Sequence, residues 1–349
     1  MAVFPFSVPL PFLLPFICQV TYRCQTLIVQ LLSAINVYLI LLSTLTICKS
    51  VMQKPYFKLQ LQPPGKLFFL LLLTITLSSC SGFLTNRLLG PITGNLQQQT
   101  DINLVCEGAP SYLLLLDSML VSKPDDKALL LTATKAYSGF STALTECGAS
   151  NTRIGAATAK SHQYGLQLLA HYLPLEESGN YSSEDGEKDF NHQLTRLTES
   201  NVEDVFWGTF GWLSWVQSQK GSPASIADMA VIEKIMARIL ALNEGYEGGS
   251  IHLFFGAYHA LKPKMFGGRP DLSKEHFDKA LSLSERKFLI IQTTYAQTYA
   301  RSTFDKELHN SLLNEVISFS IGDAPEFALT NQIAKNRAKK LLEENYFGD

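Results

Sequence analysis

Cys80 is the residue of this chain with the most readily recognised chemistry. It follows Leu77-Ser78-Ser79 at the end of the apolar run 67–76, and Lys66 precedes that run. A basic residue, a short apolar core and small residues before a cleavage point are typical of a bacterial secretion signal. A cysteine directly after the small residues is the pattern of a lipoprotein signal, in which the thiol is acylated and becomes the mature N-terminus. We therefore predict lipidation of Cys80; the alternative is an ordinary signal or anchor in which this cysteine is incidental.

Two further cysteines, Cys106 and Cys147, have types and positions suited to a covalent cross-link. They lie after the signal, in a compartment that permits disulfides. We expect them near adjoining ends of the first two helices of the mature chain. A disulfide between them and two separately buried thiols both agree with the sequence.

Motifs for catalysis and for cofactor or metal binding are missing from the sequence. It has no Gly-x-Ser-x-Gly elbow, Walker loop, dinucleotide glycine fingerprint or His-Glu-x-x-His helix. The seven histidines are scattered without ligand spacing. We therefore predict no enzyme activity, no cofactor and no metal. An envelope hydrolase is the least favoured hypothesis, because Glu203 and Asp204 near Trp207 do not form an organised acid–base pair.

Aromatic residues and glycines mark two regions that could bind a ligand. The segment 205–215 holds all three tryptophans, and its indoles could line a groove for an apolar ligand. The alternative is core packing, with close helix contact at its glycines. In the loop 262–270, two prolines bracket two glycines, one methionine and one phenylalanine. Such a loop is either a structural corner or a binding element.

The distribution of charge excludes one class of partner. Residues 1–100 contain no Asp or Glu, and five of the 29 basic residues precede Cys80. From Cys80 onward, 24 basic residues therefore stand against 31 acidic ones, a net charge of −7. Nucleic-acid binding needs clustered cations, so we predict no nucleic-acid partner. The excess suits a soluble body that a lipid, rather than charge, holds at the membrane.

These patterns predict four segments. Residues 1–51 are a doubtful N-terminal extension from an upstream start codon, or alternatively a real extra membrane segment, since 28–47 is almost free of charge. Residues 52–79 are the lipoprotein signal peptide, and residues 80–100 are a tether. Residues 101–349 form the folded domain.

Helical periodicity dominates the folded domain, which we predict to be all-α, with almost no alternating strand pattern. Helices joined by short turns favour antiparallel helix pairs in a tetratricopeptide-like α-solenoid or closed helical array. Ser273-x3-Phe277-x2-Ala280 places small residues where two helices cross, as in such repeats. The acidic segment 176–189 is predicted to be a polar insert outside the helices. The predicted helices are 102–121, 127–147, 154–172, 190–198, 202–219, 223–242, 250–261, 273–283, 288–300, 306–317 and 325–346.

Several segments, taken in order, resemble the T-component (TatT) family of TRAP transporters. The resemblance is carried by His252 to Pro263, then Gly267-Gly268, then His276 to Leu281. It continues through the further segments 107–117, 295–300 and 329–342. Members of that family are helical, tetratricopeptide-like bacterial lipoproteins. From these segments, the tryptophan segment 205–215 and the loop 262–270 we select candidate residues for ligand or partner binding: Trp207, Trp212, Tyr258, Pro263, Phe266, Gly267, Gly268 and Asn331.

The resemblance implies a function in uptake. It predicts a periplasm-facing lipoprotein that docks the solute-binding protein of the transporter and assists uptake of a small solute, hydrophobic solutes included. It also implies a homo-oligomer, with a trimer expected. Because Ser81 is not an aspartate, we expect an anchor in the outer membrane rather than retention at the inner one. The alternative hypothesis is a general helical-repeat scaffold for envelope or outer-membrane assembly.

Overall fold

The structure is a computed structural model that describes residues 94–175, 183–219, 221–261 and 268–348. Cys80, the segments 1–51 and 52–79, and most of the predicted tether lie outside the described residues. The predictions for those segments therefore stay predictions. Pro263, Phe266 and Gly267 also lie outside.

The described residues form an all-α fold, as predicted, and no strand occurs among them. After a short helical turn at 94–97 come eleven α-helices with 3₁₀ turns between some of them. Helix α9 continues into a π-helical turn, Ala296–Ala300. The helices are α1 (Ile102–Ser122), α2 (Lys127–Glu146), α3 (Asn151–Leu169), α4 (Glu184–Arg196), α5 (Val202–Ser218), α6 (Pro223–Leu242), α7 (Tyr246–Ala260), α8 (Pro270–Leu283), α9 (Ile290–Tyr295), α10 (Lys306–Ser318) and α11 (Ala328–Glu343).

Short polar side chains set the first residue of many helices. The Asp101 carboxylate accepts a hydrogen bond from the backbone N–H of Leu104 at 3.1 Å, and Asp126 caps α2 in the same way. Such caps satisfy backbone donors that have no partner inside the helix. Their positions account for the agreement between the predicted and observed starts of α1 and α2.

Helix α4 corrects one prediction, because part of the supposed polar insert is helical. Ser183 Oγ accepts a hydrogen bond from the N–H of Gly186 at 3.1 Å, so the helix begins at Glu184 rather than at residue 190. Glu184, Asp185 and Glu187 stand in its first turn, where negative charge interacts favourably with the helix dipole. An acidic composition thus indicated a helix start here, not a loop.

The helices pack as an array of neighbouring pairs with three apolar clusters. Helices α1, α2 and α3 surround the first cluster, the helices from α3 to α7 the second, and the helices from α8 to α11 the third. Ile333 of α11 belongs to the first cluster, and Lys340 of α11 forms an ion pair with Glu146 of α2 at 2.7 Å. The last helix therefore contacts the first two, which favours the closed array over an open solenoid.

The unit Ser273-x3-Phe277-x2-Ala280 lies at a close helix contact, as its pattern predicts. All three side chains are fully buried. Ser273 Oγ donates a hydrogen bond to the carbonyl of Gly256 on α7 at 2.7 Å, and the Phe277 ring fills the space beside that glycine. One polar and one aromatic contact therefore join α7 to α8 at this point.

Helix α1 is the one helix in the described part of the chain with the length and apolar composition of a membrane span. The same composition fits a core helix. Leu113, Leu116 and Leu120 lie buried in the first cluster, while Leu114 and Val121 are exposed. Its length and composition are therefore weak indications of a membrane span.

Candidate functional site

Helix α5 carries the three tryptophans, and their side chains lie in two different surroundings. Trp212 is fully buried, and Trp215 is half-buried; both face the His162 ring, with centroids 6.2 and 4.5 Å away. Burial lowers the pKa of His162 to about 4, so its imidazole is neutral at neutral pH. Trp212 is thus a core residue in the structure, in agreement with the packing interpretation of the 205–215 segment. Its role in ligand binding stays a prediction.

Trp207 lies apart from this core contact and is half-buried beside charged side chains. The Lys135 ammonium of α2 stands 5.2 Å from the centre of its ring and 2.5 Å from Glu203 Oε1. A cation over an indole face is attracted by the ring quadrupole. We call Lys135, Glu203, Trp207, Tyr246 and Glu247 the Trp207 site.

Further aromatic rings extend the apolar surface of the Trp207 site. Phe206 and Phe210 each contact Trp207 edge to face, with centroids 5.5 Å apart. Tyr246, at the start of α7, packs on Phe206 at 5.0 Å. The site therefore joins the half-buried rings of Trp207, Phe210 and Tyr246, which pack on the buried Phe206, to one cation and two carboxyl groups.

The first residues of α7 adopt a rare backbone conformation that places Tyr246 and Glu247 at the site. Glu247, Gly248 and Gly249 have φ of 48°, 64° and 84°, so three consecutive residues are left-handed. Glycine adopts this conformation freely, whereas for Glu247 it costs about 1–2 kcal/mol of conformational free energy. A Cβ on Gly249 would lie 3.2 Å from Ala280 Cα. The glycines therefore let this turn approach α8 while Tyr246 and Glu247 reach the site.

Burial makes the carboxyl group of Glu247 easier to protonate than usual. Desolvation raises its pKa above the ordinary value, and the nearby Glu203 acts in the same direction. The Lys135 ammonium and the Trp207 indole partly oppose that rise. Burial and the charge of Glu247 also raise the pKa of the Tyr246 hydroxyl. The Trp207 site thus holds one ammonium group, one exposed carboxylate and one carboxyl group that burial makes easier to protonate.

Tyr258, a further candidate, lies elsewhere on α7. Its hydroxyl donates a hydrogen bond to Glu233 of α6 at 2.7 Å, and burial together with this contact raises its pKa to about 12. Eight residues of regular helix, from Ser250, separate it from the left-handed turn by about 12 Å along the axis. The structure therefore does not bring Tyr258 into the Trp207 site.

Asn331 and Gly268 complete the candidates that fall within the described residues. Asn331 is fully buried; its side-chain oxygen accepts from the N–H of Leu289 and its amide nitrogen donates to the carbonyl of Lys287, both at 2.9 Å. This geometry makes Asn331 a cross-link between α11 and the turn before α9. Gly268 is half-buried in the two residues before α8. A binding role for either residue stays a prediction.

The two cysteines of the folded domain lie together. Cys106 of α1 and Cys147, directly after α2, have their thiol sulfurs in contact and their Cα atoms 6.4 Å apart. That separation lies within the range that a disulfide spans. The expected adjacency of the two helix ends is therefore present, and the bond itself stays a prediction.

The His, Cys, Asp and Glu side chains of the described residues form no metal site. No set of three or more His, Cys, Asp or Glu side chains there could hold a metal ion. Glu203 is paired with Lys135, and Asp204 accepts a hydrogen bond from the Tyr172 hydroxyl. Each of these carboxylates thus has a partner from another part of the chain.

Sequence reasoning missed Lys135, Tyr246 and Glu247 as members of this site. Two signals stood in the sequence. Gly248-Gly249 follows Glu247 directly, and Lys135 interrupts the otherwise uncharged stretch 128–145. Neither signal names its partner, because Lys135 and Glu247 are more than 100 residues apart.

The described residues define an all-α protein whose helices pack as an array. A comparison with protein families matches residues 98–347 to the TRAP transporter T-component family. The match spans more than two-thirds of the 349 residues, so this chain belongs to that family and is a component of a TRAP transporter. The family is a transporter accessory component, not a known enzyme family, and it suggests a location in the cell envelope. No protein of curated function matches the chain.

Proposed function

We propose that this protein docks the solute-binding protein of its TRAP transporter and assists uptake of a small solute, hydrophobic solutes included. The observation that carries the proposal is the family match over residues 98–347. The all-α array supports it, because the family resemblance implies a helical body.

The proposal places the protein at the outer membrane, facing the periplasm, with a lipid on Cys80 and as a homo-oligomer, a trimer being expected. The small residues before Cys80 and the net charge of −7 after it support a lipid-tethered soluble body. Mass spectrometry of the protein from its native membrane tests the anchor. We expect an N-terminal peptide that begins at an acylated Cys80. An unmodified peptide that runs across residue 80 contradicts it.

The Trp207 site supports the part of the proposal that concerns a solute. Ligand sites are mostly apolar, with a few placed polar groups that fix orientation. Trp207 and Phe210, both half-buried, supply the apolar surface, and Lys135 and Glu247 supply the polar groups. A solute would insert its apolar part beside Trp207 and displace or share the pairing of Lys135 with Glu203.

Docking is tested by affinity purification of the tagged full chain from its native cells under mild detergent. We expect stoichiometric recovery of a solute-binding protein of the TRAP type. Recovery of only outer-membrane assembly proteins would support the alternative of a general envelope scaffold and contradict docking.

Solute handling is tested by titration with an apolar fluorescent probe, 1-anilinonaphthalene-8-sulfonate. We expect Trp207→Phe to weaken probe binding about 5–10-fold, since part of an aromatic contact is lost. Trp215→Phe is the matched control, because it changes the same residue type on the same helix, beside His162. Equal affinities for both variants and the unchanged protein would rule out binding at the Trp207 site.

A further inference from the structure

Three histidines meet where α7 packs on α8. His252 and His259 share one face of α7 with Phe255, and His276 of α8 stands opposite. The His276 ring lies 5.1 Å from His252, 5.2 Å from Phe255 and 5.7 Å from His259, between ring centres. We call His252, His259 and His276 the histidine cluster.

The closest contact in the histidine cluster has room for one hydrogen atom between its two nitrogens. His252 Nδ1 and His276 Nδ1 are 2.9 Å apart. One of the two nitrogens must donate and the other accept, because a neutral imidazole has one of each. When both rings are protonated, both nitrogens carry hydrogen, and the contact becomes a clash between two cations.

The charged groups around His252 partly stabilise its protonated form. Its Nε2 is buried without a hydrogen-bond partner, and the nearest acid is Glu244, whose Oε2 is 3.5 Å away. Glu244 is shared with Lys279, which lies 3.2 Å from its other oxygen. Glu275 also acts on His252 from α8. Glu244 and Glu275 therefore favour the first proton, and Lys279 opposes it.

The other two histidines have less compensation for charge. Arg269 disfavours a proton on His259, and Glu233 favours it. The groups that act on His276 are His252 and His259, and both oppose its protonation once they are charged. A second proton in the cluster therefore meets repulsion from the first.

We propose that the histidine cluster is a proton-operated switch that loosens the packing of α7 on α8 at acid pH. The contacts under its control are the Ser273 Oγ bond to the Gly256 carbonyl and the packing of the Phe277 ring on Gly256. The backbone bond from Arg269 N–H to the His259 carbonyl, at 3.4 Å, joins the ends of the same two helices.

The direction of titration agrees with this assignment. Burial lowers the pKa of His252, of His259 and of His276, the last to about 4. Because the packed state binds these protons less readily than the opened state, the packing is fully stable above the ordinary histidine pKa of about 6.5. Its stability falls as the pH drops from about 6.5 towards 4.

The switch reaches the Trp207 site through α7. Tyr246 and Glu247 stand at the start of that helix, so loosening α7 would move one wall of the site. This consequence rests on the proposed function, whereas the switch itself does not.

Amide hydrogen exchange of the full chain at pH 7 and pH 5, corrected for the intrinsic rate, tests the proposal. Peptides of α7 and α8 report the opening. For His276 alone, with a pKa of about 6.5 in the opened state and about 4 in the packed state, we expect protection to fall about 20-fold from pH 7 to pH 5. Peptides of α3 and α5 should change much less.

His276→Gln is the decisive variant, because glutamine keeps a neutral hydrogen-bonding side chain. We expect it to reduce the pH effect on α7 and α8 to less than about 5-fold. His192→Gln, at an exposed position of α4, should behave as the unchanged protein. If His276→Gln does not fold, His252→Gln replaces it, with the same expectation.

Two results would overturn the switch: equal protection of α7 and α8 at both pH values in the unchanged protein, or an undiminished pH effect in the folded variant. Neither measurement uses a solute or a partner. Failure of docking or of probe binding therefore leaves this test unaffected, and the reverse also holds.

Discussion

At the scale of the residue, buried polar side chains hold backbone segments that lie far apart in the chain. Asn331 is the best-defined case, because its amide bonds the backbone on both sides of Phe288. Without the Asn331 amide, the Leu289 N–H and the Lys287 carbonyl would have no partner. Leaving a buried polar group without a partner costs more free energy than a hydrogen bond contributes on average. We therefore expect Asn331 to matter for stability whatever its role in binding.

Replacing Asn331 with Ala should lower the free energy of unfolding by about 2–4 kcal/mol, since one buried and one partly buried backbone group lose their partners. Urea denaturation followed by circular dichroism measures the change. Gln332→Ala is the control on the same helix; Gln332 bonds only the Asn336 side chain and should cost less than about 1 kcal/mol. Equal losses for the two variants would contradict the cross-link.

The pairing of Cys106 with Cys147 gives a second prediction at this scale. A proteolytic digest without reduction should contain one linked peptide pair holding both residues. The bond closes a loop with a sequence separation of 41 residues, so reduction should cost about 3–4 kcal/mol of stability. Complete alkylation of both cysteines in unreduced, denatured protein would show that they are separate thiols.

At the scale of the element, the close contact between α3 and α5 depends on glycines, which have no side chain to keep the two backbones apart. A Cβ on Gly165 would lie 2.6 Å from the carbonyl oxygen of Gly208, and one on Gly211 would lie 2.7 Å from that of Ser161. Carbon and oxygen atoms do not approach so closely. The two helices can therefore lie at this distance only while these positions are glycine.

Gly165→Ala should force α3 and α5 apart and cost about 1–3 kcal/mol. The matched control is Gly155→Ala on the same helix, where nothing lies within 4 Å of the added carbon. Alanine favours a helix over glycine, so the control should gain about 0.5–1 kcal/mol. Thermal melts of the two variants, read against the unchanged protein, should shift in opposite directions.

The helices themselves were largely predictable, and α4 shows where prediction failed. Helical periodicity and capping residues are local, so α1, α2 and α6 begin within a residue of their predicted starts. Helix α4 has a single buried side chain, Phe190, and so lacks the apolar period on which the prediction relied. Its Ser183 cap and acidic first turn were the signals that remained.

At the scale of the whole molecule, α11 couples the two ends of the described array. Ile333 is almost fully buried in the cluster formed by α1, α2 and α3, whereas most of α11 packs with α8 to α10. Loss of that contact should therefore destabilise α1 and α2, which lie more than 180 residues earlier in the chain.

We expect Ile333→Ala to cost about 2–4 kcal/mol and to raise amide exchange in α1 and α2. Leu342→Ala serves as its counterpart, because Leu342 lies on the same helix but packs with the third cluster. That variant should raise exchange in α10 and leave α1 and α2 protected. Unchanged exchange in α1 and α2 for both variants would mean that the array is open.

The sequence by itself determined the helical class, most helix boundaries, the adjacency of Cys106 and Cys147, and the family. All of these depend on local patterns: apolar spacing, caps and short motifs. Only the tertiary structure decided that Trp212 enters the core while Trp207 meets Lys135, and that His276 joins His252. Those contacts join residues on separate helices, and the packing of apolar faces, which no local pattern encodes, sets which helices meet.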